Sequence, residues 1–340
     1  MLELLNNRPF DNERNILNAD LFVNNLKHTL RGFKFNTKIN YEVYRNITIY
    51  TITWNDDKTY EDILELKKEI AVSLGINTID LHIEKITEQQ VRIKVLNMKQ
   101  STLTLRELLE EAKDNKNIPI GLDDEDNIIY FDIDKDKNIL TAGVTGIGKT
   151  NLFNDIILNI LLKEDNTKII LLDSLGVNYN DYDKLCKVVN DNDSVIKEIH
   201  NIRREFEERI KSGNKNDKIV IFIDEIYDII KQEPSVKDDI NYLLELGHTA
   251  NIHLIISTDS VLDEDINYIF DKDEDVLKLS FYLTSKQEYN KFLDKAVKEK
   301  VGRDGIYLST KDKLVRVSIP LVEDIEIKRV VDALTNKKDK

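Results

Sequence analysis

A chain of 340 residues exceeds one compact domain of ordinary size, so two domains are expected, and 49 Lys and Arg against 63 Asp and Glu leave a formal charge of −14. That balance excludes a surface coated throughout in basic residues for gripping nucleic acid, while leaving room for a local basic patch. The single cysteine, Cys186, excludes an internal disulfide, no Cys/His cluster has zinc-ligand spacing, and no basic leader or apolar run of spanning length occurs, so a protein of the reducing cytoplasm is expected.

In chain order, NADLFVNNLKHTLRGF reads as an amphipathic helix ending at Gly32, ITIYTITW alternates as a strand, and TYEDILELKKEIAVSLG has helical spacing with Gly75 as its stop. Two strand-like runs follow, IDLHIEKI and QQVRIKVLN, then a short helix, TLRELLEEAK. A small α/β domain over residues 1–118 is the expectation. The polar stretch DNKNIPIGLDDEDNIIYFDIDKDKN holds a hairpin-like pair of strands and marks the boundary. Beyond it, NILTAG, TKIILLD, KIVIFIDE, NIHLIIST and LKLSFYLT recur as near-continuous apolar runs separated by helical stretches. Strands of that kind are buried on both faces, which predicts a mostly parallel sheet over residues 119–340 with its ligand at the strand C-terminal ends.

GVTGIGKT, residues 143–150, satisfies G-x-x-x-x-G-K-S/T between the strand NILTA and the helix NLFNDIILNILLK. Gly143, Gly146 and Gly148 let the backbone N–H groups of Val144, Thr145, Ile147 and their neighbours wrap phosphates. The helix start, with Asn151 in its first turn, adds its positive dipole. Lys149 neutralises β/γ charge and the Thr150 hydroxyl can ligate Mg²⁺, so the segment is predicted to hold a nucleoside triphosphate. KIVIFIDEIYDII ends its apolar strand in Asp224 and Glu225. There the first acid holds Mg²⁺ and the second can orient and deprotonate water, which favours hydrolysis over transfer to another acceptor.

These residues resemble the motor of FtsK/SpoIIIE-type DNA translocases. IPIGLDDEDNIIYFDIDKDKN resembles its lead-in to the phosphate loop, LLDSLGVNYNDY its second strand, REFEERI its Glu-Met-x-x-Arg-Tyr helix, and IVIFIDEIYDII its Asp-Glu strand. ELGHTANIHLIISTDS resembles the Gly-Arg-Ala-x-Gly-Ile-His-Leu segment with its Ala-Thr-Gln end, GRDGIYL the late Gly-Arg-Gly-Asp turn, and VRIKVLN with TLRELL the end of the preceding module. The resemblance implies a RecA-like P-loop ATPase using ATP and Mg²⁺, behind a smaller α/β domain. It further implies a homo-oligomeric, hexameric ring that pumps double-stranded DNA. Ring ATPases often complete a site with a neighbour's arginine, for which Arg209 and Arg303 are the candidates.

The departures from the family pattern are specific. Its Asp-Pro-Lys is here Asp173, Ser174 and Leu175, its Arg falls on His248, and the glutamine closing Ala-Thr-Gln falls on Asp259, which would repel a γ-phosphate. The stretch at 259–278, matching a family loop that reaches DNA, is acidic, with Lys272 and Lys278 its only cations. Arg203, Arg204 and KSGNKNDK are the other basic candidates. His253, Cys186 and Trp54 read as core residues. With no spanning segment and little chain after the motor, membrane anchorage and sequence reading are expected to be lacking or to come from partner proteins. The favoured function is a soluble, ATP-driven DNA translocase, as in chromosome segregation, conjugative transfer or mobile-element biology. A related motor that moves protein and a nucleotide-binding scaffold with a decayed site are the alternatives.

Overall fold

The computed structural model describes all residues except 9, 79–80, 98–99, 114, 164–165, 214–216, 271–275, 294–305, 310–313 and 339–340, and the side chains of 267, 270 and 338. Its contacts divide the chain into two compact units.

One unit comprises residues 9–102 with 124–127. Its first helix, α1 (Glu13–Gly32), buries Ala19, Val23, Leu26 and Leu30 along one stripe. The strands β1 (Thr37–Val43) and β2 (Ile47–Trp54) pair antiparallel. A single helix is expected next, but the structure parts it into α2 (Tyr60–Glu65) and α3 (Lys67–Ser73) at Leu66. There the turn tightens, the Leu66 N–H bonding the Ile63 carbonyl three residues back at 3.1 Å. β3 (His82–Thr87) and β4 (Gln90–Leu96) complete an antiparallel sheet of order β1-β2-β4-β3. Trp54 is core, as expected: it is buried, donates Nε1–H to the Lys58 carbonyl at 2.8 Å and meets Phe35 edge-on with centroids 5.8 Å apart.

The other unit holds residues 1–8, 103–123 and 128–340. The division therefore falls at Thr102/Leu103, earlier than the boundary expected near residue 118. The reason is packing. α4 (Leu105–Ala112), capped by Thr104 and Glu107, and β5 (Ile118–Leu122) send Leu105, Ile118 and Ile120 into the same cluster as Phe153 and Ile156. β5 pairs with β6 (Ile128–Phe131) as the expected hairpin, and one helical turn, α5 (Ile133–Asp136), leads into β7 (Asn138–Ala142).

From β7 the chain alternates strands and helices: α6 (Lys149–Leu162), β8 (Lys168–Asp173), β9 (Lys187–Val189), α7 (Asn192–Ser212), β10 (Ile219–Asp224), α8 (Ile226–Gln232), α9 (Val236–Leu246) and β11 (Ile252–Thr258). It ends with α10 (Glu264–Phe270), β12 (Val276–Ser280), α11 (Lys286–Leu293), β13 (Ile306–Ser309), β14 (Leu314–Val317) and α12 (Asp324–Lys338). The described residues form an eight-stranded sheet, β14-β13-β12-β7-β11-β10-β8-β9, parallel from β12 to β9 and antiparallel at β13 and β14.

Because strand side chains alternate, β10 serves two cores at once. Ile219, Ile221 and Ile223 meet α7, α8 and α9, while Val220 and Phe222 meet α6, with Phe222 edge-on to Phe153 at 5.4 Å between centroids. Burial on both faces explains why the strand reads as an unbroken apolar run. β7 sits between β11 and β12, whereas its chain successor β8 lies beyond β11 and β10. That reversal makes the C-terminal end of β7 a topological switch point, the place where open α/β sheets bind ligands.

Candidate nucleotide site

β7 ends at Ala142, and the loop 143–148 is pinned on both sides. The Gly143 N–H donates to the Thr258 carbonyl at 3.1 Å and the Val144 N–H to the Tyr282 carbonyl at 3.0 Å. A Cβ at Gly143 would stand 2.5 Å from the Phe281 Cβ, and Gly148, with φ +116°, begins α6 in a conformation L side chains rarely adopt. At Gly146 an added Cβ would meet nothing within 4 Å, so the loop opens there to free space. Thr145 Oγ1 donates to Asp259 Oδ2 at 3.0 Å.

Lys149, the first residue of α6, is buried. Its ammonium lies 2.9 Å from Glu225 Oε1 and donates to the carbonyls of Gly143 at 2.5 Å and Val144 at 3.3 Å. Glu225 takes a left-handed backbone, φ 52°, between β10 and α8, which turns its side chain back towards the loop. Burial raises its pKa above the ordinary carboxylate value, and Lys149 opposes that shift. Its Oε2 is buried with no hydrogen-bond partner among the described residues. A half-satisfied carboxylate with a raised pKa is chemically suited to take a proton from water.

Asp224, at the tip of β10, is surrounded by donors. Oδ2 accepts from Tyr179 OH at 2.8 Å, Asn178 Nδ2 at 3.3 Å and Thr150 Oγ1 at 3.4 Å, and Oδ1 accepts from Ser257 Oγ at 2.5 Å. Burial foremost, and then the Asp224 charge, hold the Tyr179 phenol far above its ordinary pKa, so it stays a proton donor. Asn178 and Tyr179 are placed by Asp173, whose carboxylate accepts from the N–H groups of Leu175, Val177 and Asn178 at 3.2, 2.9 and 2.7 Å. Sequence reasoning missed Asn178, Tyr179 and Ser257. Among the residues single positions can reveal, only Asp173 closing β8 gave a signal, because an acid at a strand tip followed by Gly176 marks a capped turn.

An ATP–Mg²⁺ group fits these residues. The Thr150 hydroxyl and the Asp224 carboxylate form a pair of hard oxygen donors of the kind Mg²⁺ takes, and Lys149 with the start of α6 supplies positive charge beside an open glycine loop.

Other sequence-predicted residues lie elsewhere. Asn151 spends its amide on the C-terminal segment, donating to the Pro320 carbonyl at 2.7 Å and accepting the Val322 N–H at 2.9 Å. Arg209 donates to the carbonyls of Asp217 at 2.5 Å and Ala250 at 3.2 Å and to Glu205 at 3.1 Å, which ties α7 to the starts of β10 and β11. Arg303 and Lys272 lie outside the described residues. Lys278 is buried within β12 and so presents no cation on a loop. The Arg203 guanidinium lies 3.4 Å from the Tyr242 ring centroid and 3.0 Å from Glu207, and Arg204 donates to the Asn201 side chain. His248 sits in the short turn 247–250 before β11. His253 and Cys186 are buried, as expected.

The FtsK/SpoIIIE family model matches residues 103–272, half of the chain, including the loop 143–150 and the acids Asp224 and Glu225. This chain belongs to the FtsK/SpoIIIE family. Among curated relatives, the DNA translocase FtsK of Bacillus cereus is 26% identical over 377 aligned positions, covering 98% of this chain and 47% of that protein. The DNA translocase SpoIIIE of Bacillus subtilis is 26% identical over 333, covering 86% and 41%. The chain thus spans about half the length of the curated relatives it matches. Of solved structures, the monomer of the pCW3 conjugation coupling protein TcpA with ATPγS superposes with a TM-score of 0.62 at 16% identity, over 94% of this chain and 99% of that one. The cytoplasmic domain of the Thermomonospora curvata type VII secretion ATPase EccC gives 0.57 at 15%, over 69% and 34%. The fold of this FtsK/SpoIIIE-family chain is accordingly that of P-loop ATPases. No helix among its described residues is long and apolar enough to cross a membrane.

Proposed function

We propose that this chain is an ATP-driven motor of the FtsK/SpoIIIE type that hydrolyses ATP with Mg²⁺ and moves double-stranded DNA, acting as a homo-oligomeric ring. The observation that carries the catalytic part is the meeting of Lys149 and Thr150, at the start of α6, with Asp224 and Glu225, at the tip of β10. Residues 143–150 bind the phosphates through backbone N–H groups, and Lys149 offsets their charge. Thr150 and Asp224 hold the metal, which when bound neutralises charge developing on the phosphates. Glu225 orients the attacking water and accepts its proton, leaving Lys149 to the phosphates.

The names of the curated relatives, DNA translocases, support DNA as the cargo. The acidic stretch after β11, whose Lys278 is buried, favours a second reading in which the cargo is protein. A neighbour's arginine would complete the site. Arg209 would have to give up three hydrogen bonds within its own chain to serve, so Arg303 is the better candidate.

The test is ATP hydrolysis with and without double-stranded DNA at low and moderate salt, with Glu225→Gln as control. Hydrolysis that DNA stimulates, that fades with salt and that is lost in Glu225→Gln is the expected result. Hydrolysis indifferent to DNA at every salt transfers the proposal to a protein-moving motor. Hydrolysis unchanged in Glu225→Gln overturns the assignment of the base.

A further inference from the structure

From the hydrogen bonding around Asp224 we infer that Ser257 and Tyr179 are positioning residues of the ATPase reaction. Ser257 couples the metal-side acid to the water-side acid, and Tyr179 aims the metal-side carboxylate. The inference rests on reading residues 143–150 as an ATP–Mg²⁺ site.

Ser257 lies in β11, a strand buried along its whole length, one residue beyond the pairing of Ile223 with Ile256. A hydroxyl with no exposure must be satisfied within the protein, and this one is satisfied by the two acids in sequence. Its oxygen accepts the Glu225 N–H at 2.9 Å, and its proton goes to Asp224 Oδ1 at 2.5 Å. One atom therefore fixes both the carboxylate on the metal side and the left-handed backbone that turns the Glu225 side chain back towards Lys149.

The same strand end also holds the phosphate loop. The Thr258 carbonyl accepts the Gly143 N–H, and Asp259 accepts from Thr145. Thus a displacement of the loop reaches both acids through three consecutive residues, the last two of β11 and Asp259 that follows them. The resemblance places a glutamine at 259 as the residue that senses phosphate. Asp259 is an acceptor here, and the hydroxyl two residues earlier makes the link that an acid cannot make to another acid.

Tyr179 acts on the other carboxylate oxygen. It is buried, and its hydroxyl donates to Asp224 Oδ2 at 2.8 Å, shorter than the contacts of Asn178 and Thr150 to the same atom. Asp224 is thereby held between Tyr179 and Ser257 with a defined plane. The loop that delivers Tyr179 is rigid in its own right. Asp173 accepts three of its N–H groups, and a Cβ at Gly176 (φ +70°) would collide with the Asn190 carbonyl oxygen at 2.4 Å. Hydrogen bonds that orient metal-binding carboxylates are commonly worth about 10- to 100-fold in metal affinity or activity.

The test uses the full chain with two near-isosteric variants, Ser257→Ala and Tyr179→Phe, the conservative Ser257→Thr, and Lys149→Ala as the control for the site. The readouts are steady-state ATP hydrolysis and binding of a fluorescent ATP analogue titrated with Mg²⁺ and in EDTA. Ser257→Ala is expected to lower kcat about tenfold or more with KM changed less than about twofold, and Ser257→Thr to restore most of it. Tyr179→Phe is expected to raise the Mg²⁺ concentration for half-maximal nucleotide binding about threefold or more, with affinity in EDTA unchanged. Wild-type kcat in Ser257→Ala, or a Mg²⁺ midpoint in Tyr179→Phe that is unchanged or lower, overturns the role of that residue when Lys149→Ala has lost binding. Full analogue binding by Lys149→Ala overturns the site reading itself, and this proposal with it.

Discussion

The parallel sheet carries polar side chains at both ends, and they behave differently. At its N-terminal end they pair chiefly with backbone. Asn138 donates to the Leu244 carbonyl at 3.0 Å and accepts the Leu254 N–H at 2.9 Å, His253 Nδ1 meets the Lys137 carbonyl at 2.8 Å, and Arg209 holds two carbonyls. At the C-terminal end they pair chiefly with one another, Lys149 with Glu225, Asp224 with Tyr179 and Ser257, Thr145 with Asp259, while Lys149 also holds the Gly143 and Val144 carbonyls and Ser257 the Glu225 N–H. A side chain that satisfies backbone is fixed for as long as the fold is. Side chains that satisfy each other can exchange partners when a charged ligand arrives, and Glu225 already keeps one buried oxygen without a partner among the described residues. The first end is architecture, and the second is where the proposed site lies.

The largest expected effect breaks the second end. Lys149→Ala removes the ammonium beside the loop and should weaken nucleotide binding roughly a hundredfold or more, since charge-assisted bonds to phosphate are the strong ones. Equilibrium binding of a fluorescent ATP analogue measures it, and His253→Leu at the first end should bind within about twofold of wild type. Comparable losses in both variants would erase the distinction between the two ends.

His253 tests the first end through pH. Burial, chiefly, lowers its pKa from 6.5 to about 4, so between those values the unfolded chain binds a proton that the folded chain refuses. Stability therefore rises with pH across that window. The contribution is fully present above pH 6.5 and is lost as pH falls through it towards 4, amounting to about 3 kcal/mol at the acid side. Chemical denaturation at a series of pH values should show this slope in wild type and a shallower one in His253→Leu. Equal slopes would mean that His253 is protonated in the fold.

The contrast between the ends also explains what could be read before the structure. The phosphate loop, β10 with its two acids, and the buried strands were legible because each is a local pattern: a fixed glycine spacing, or an apolar run bounded by polar residues. Ser257 was not, since within IIST a serine differs little from any small strand residue, and only the register of β11 against β10 puts it beside Asp224. Tyr179 was hidden for a similar reason, as its placement depends on a carboxylate six residues away folding the loop back. The break at Leu66 lies inside an unbroken helical pattern. The attachment of α4 and β5 to the second unit is a matter of tertiary packing. The short edge strands β9 and β14 are too brief to carry an alternation of their own.

The smallest expected effect concerns Asp259, an acid at the C-terminal end to which, unlike Asp224 and Glu225, the proposed reaction gives no role. Its carboxylate accepts from Thr145 Oγ1 at 3.0 Å, so it steadies the loop while adding negative charge beside the phosphate cradle. Asp259→Gln keeps an acceptor for Thr145 and removes the charge. Like charges several ångströms apart near a protein surface cost on the order of 1 kcal/mol, so the variant should bind ATP about three- to tenfold more tightly, and the gain should shrink as salt is raised. Titration of the analogue at two ionic strengths separates the contributions. A gain that fades with salt assigns the residue an electrostatic brake on binding. Unchanged or weaker binding in Asp259→Gln would show that the Thr145 contact outweighs the repulsion, and would move Asp259 from the exchangeable side chains of the site to the fixed ones that hold its frame.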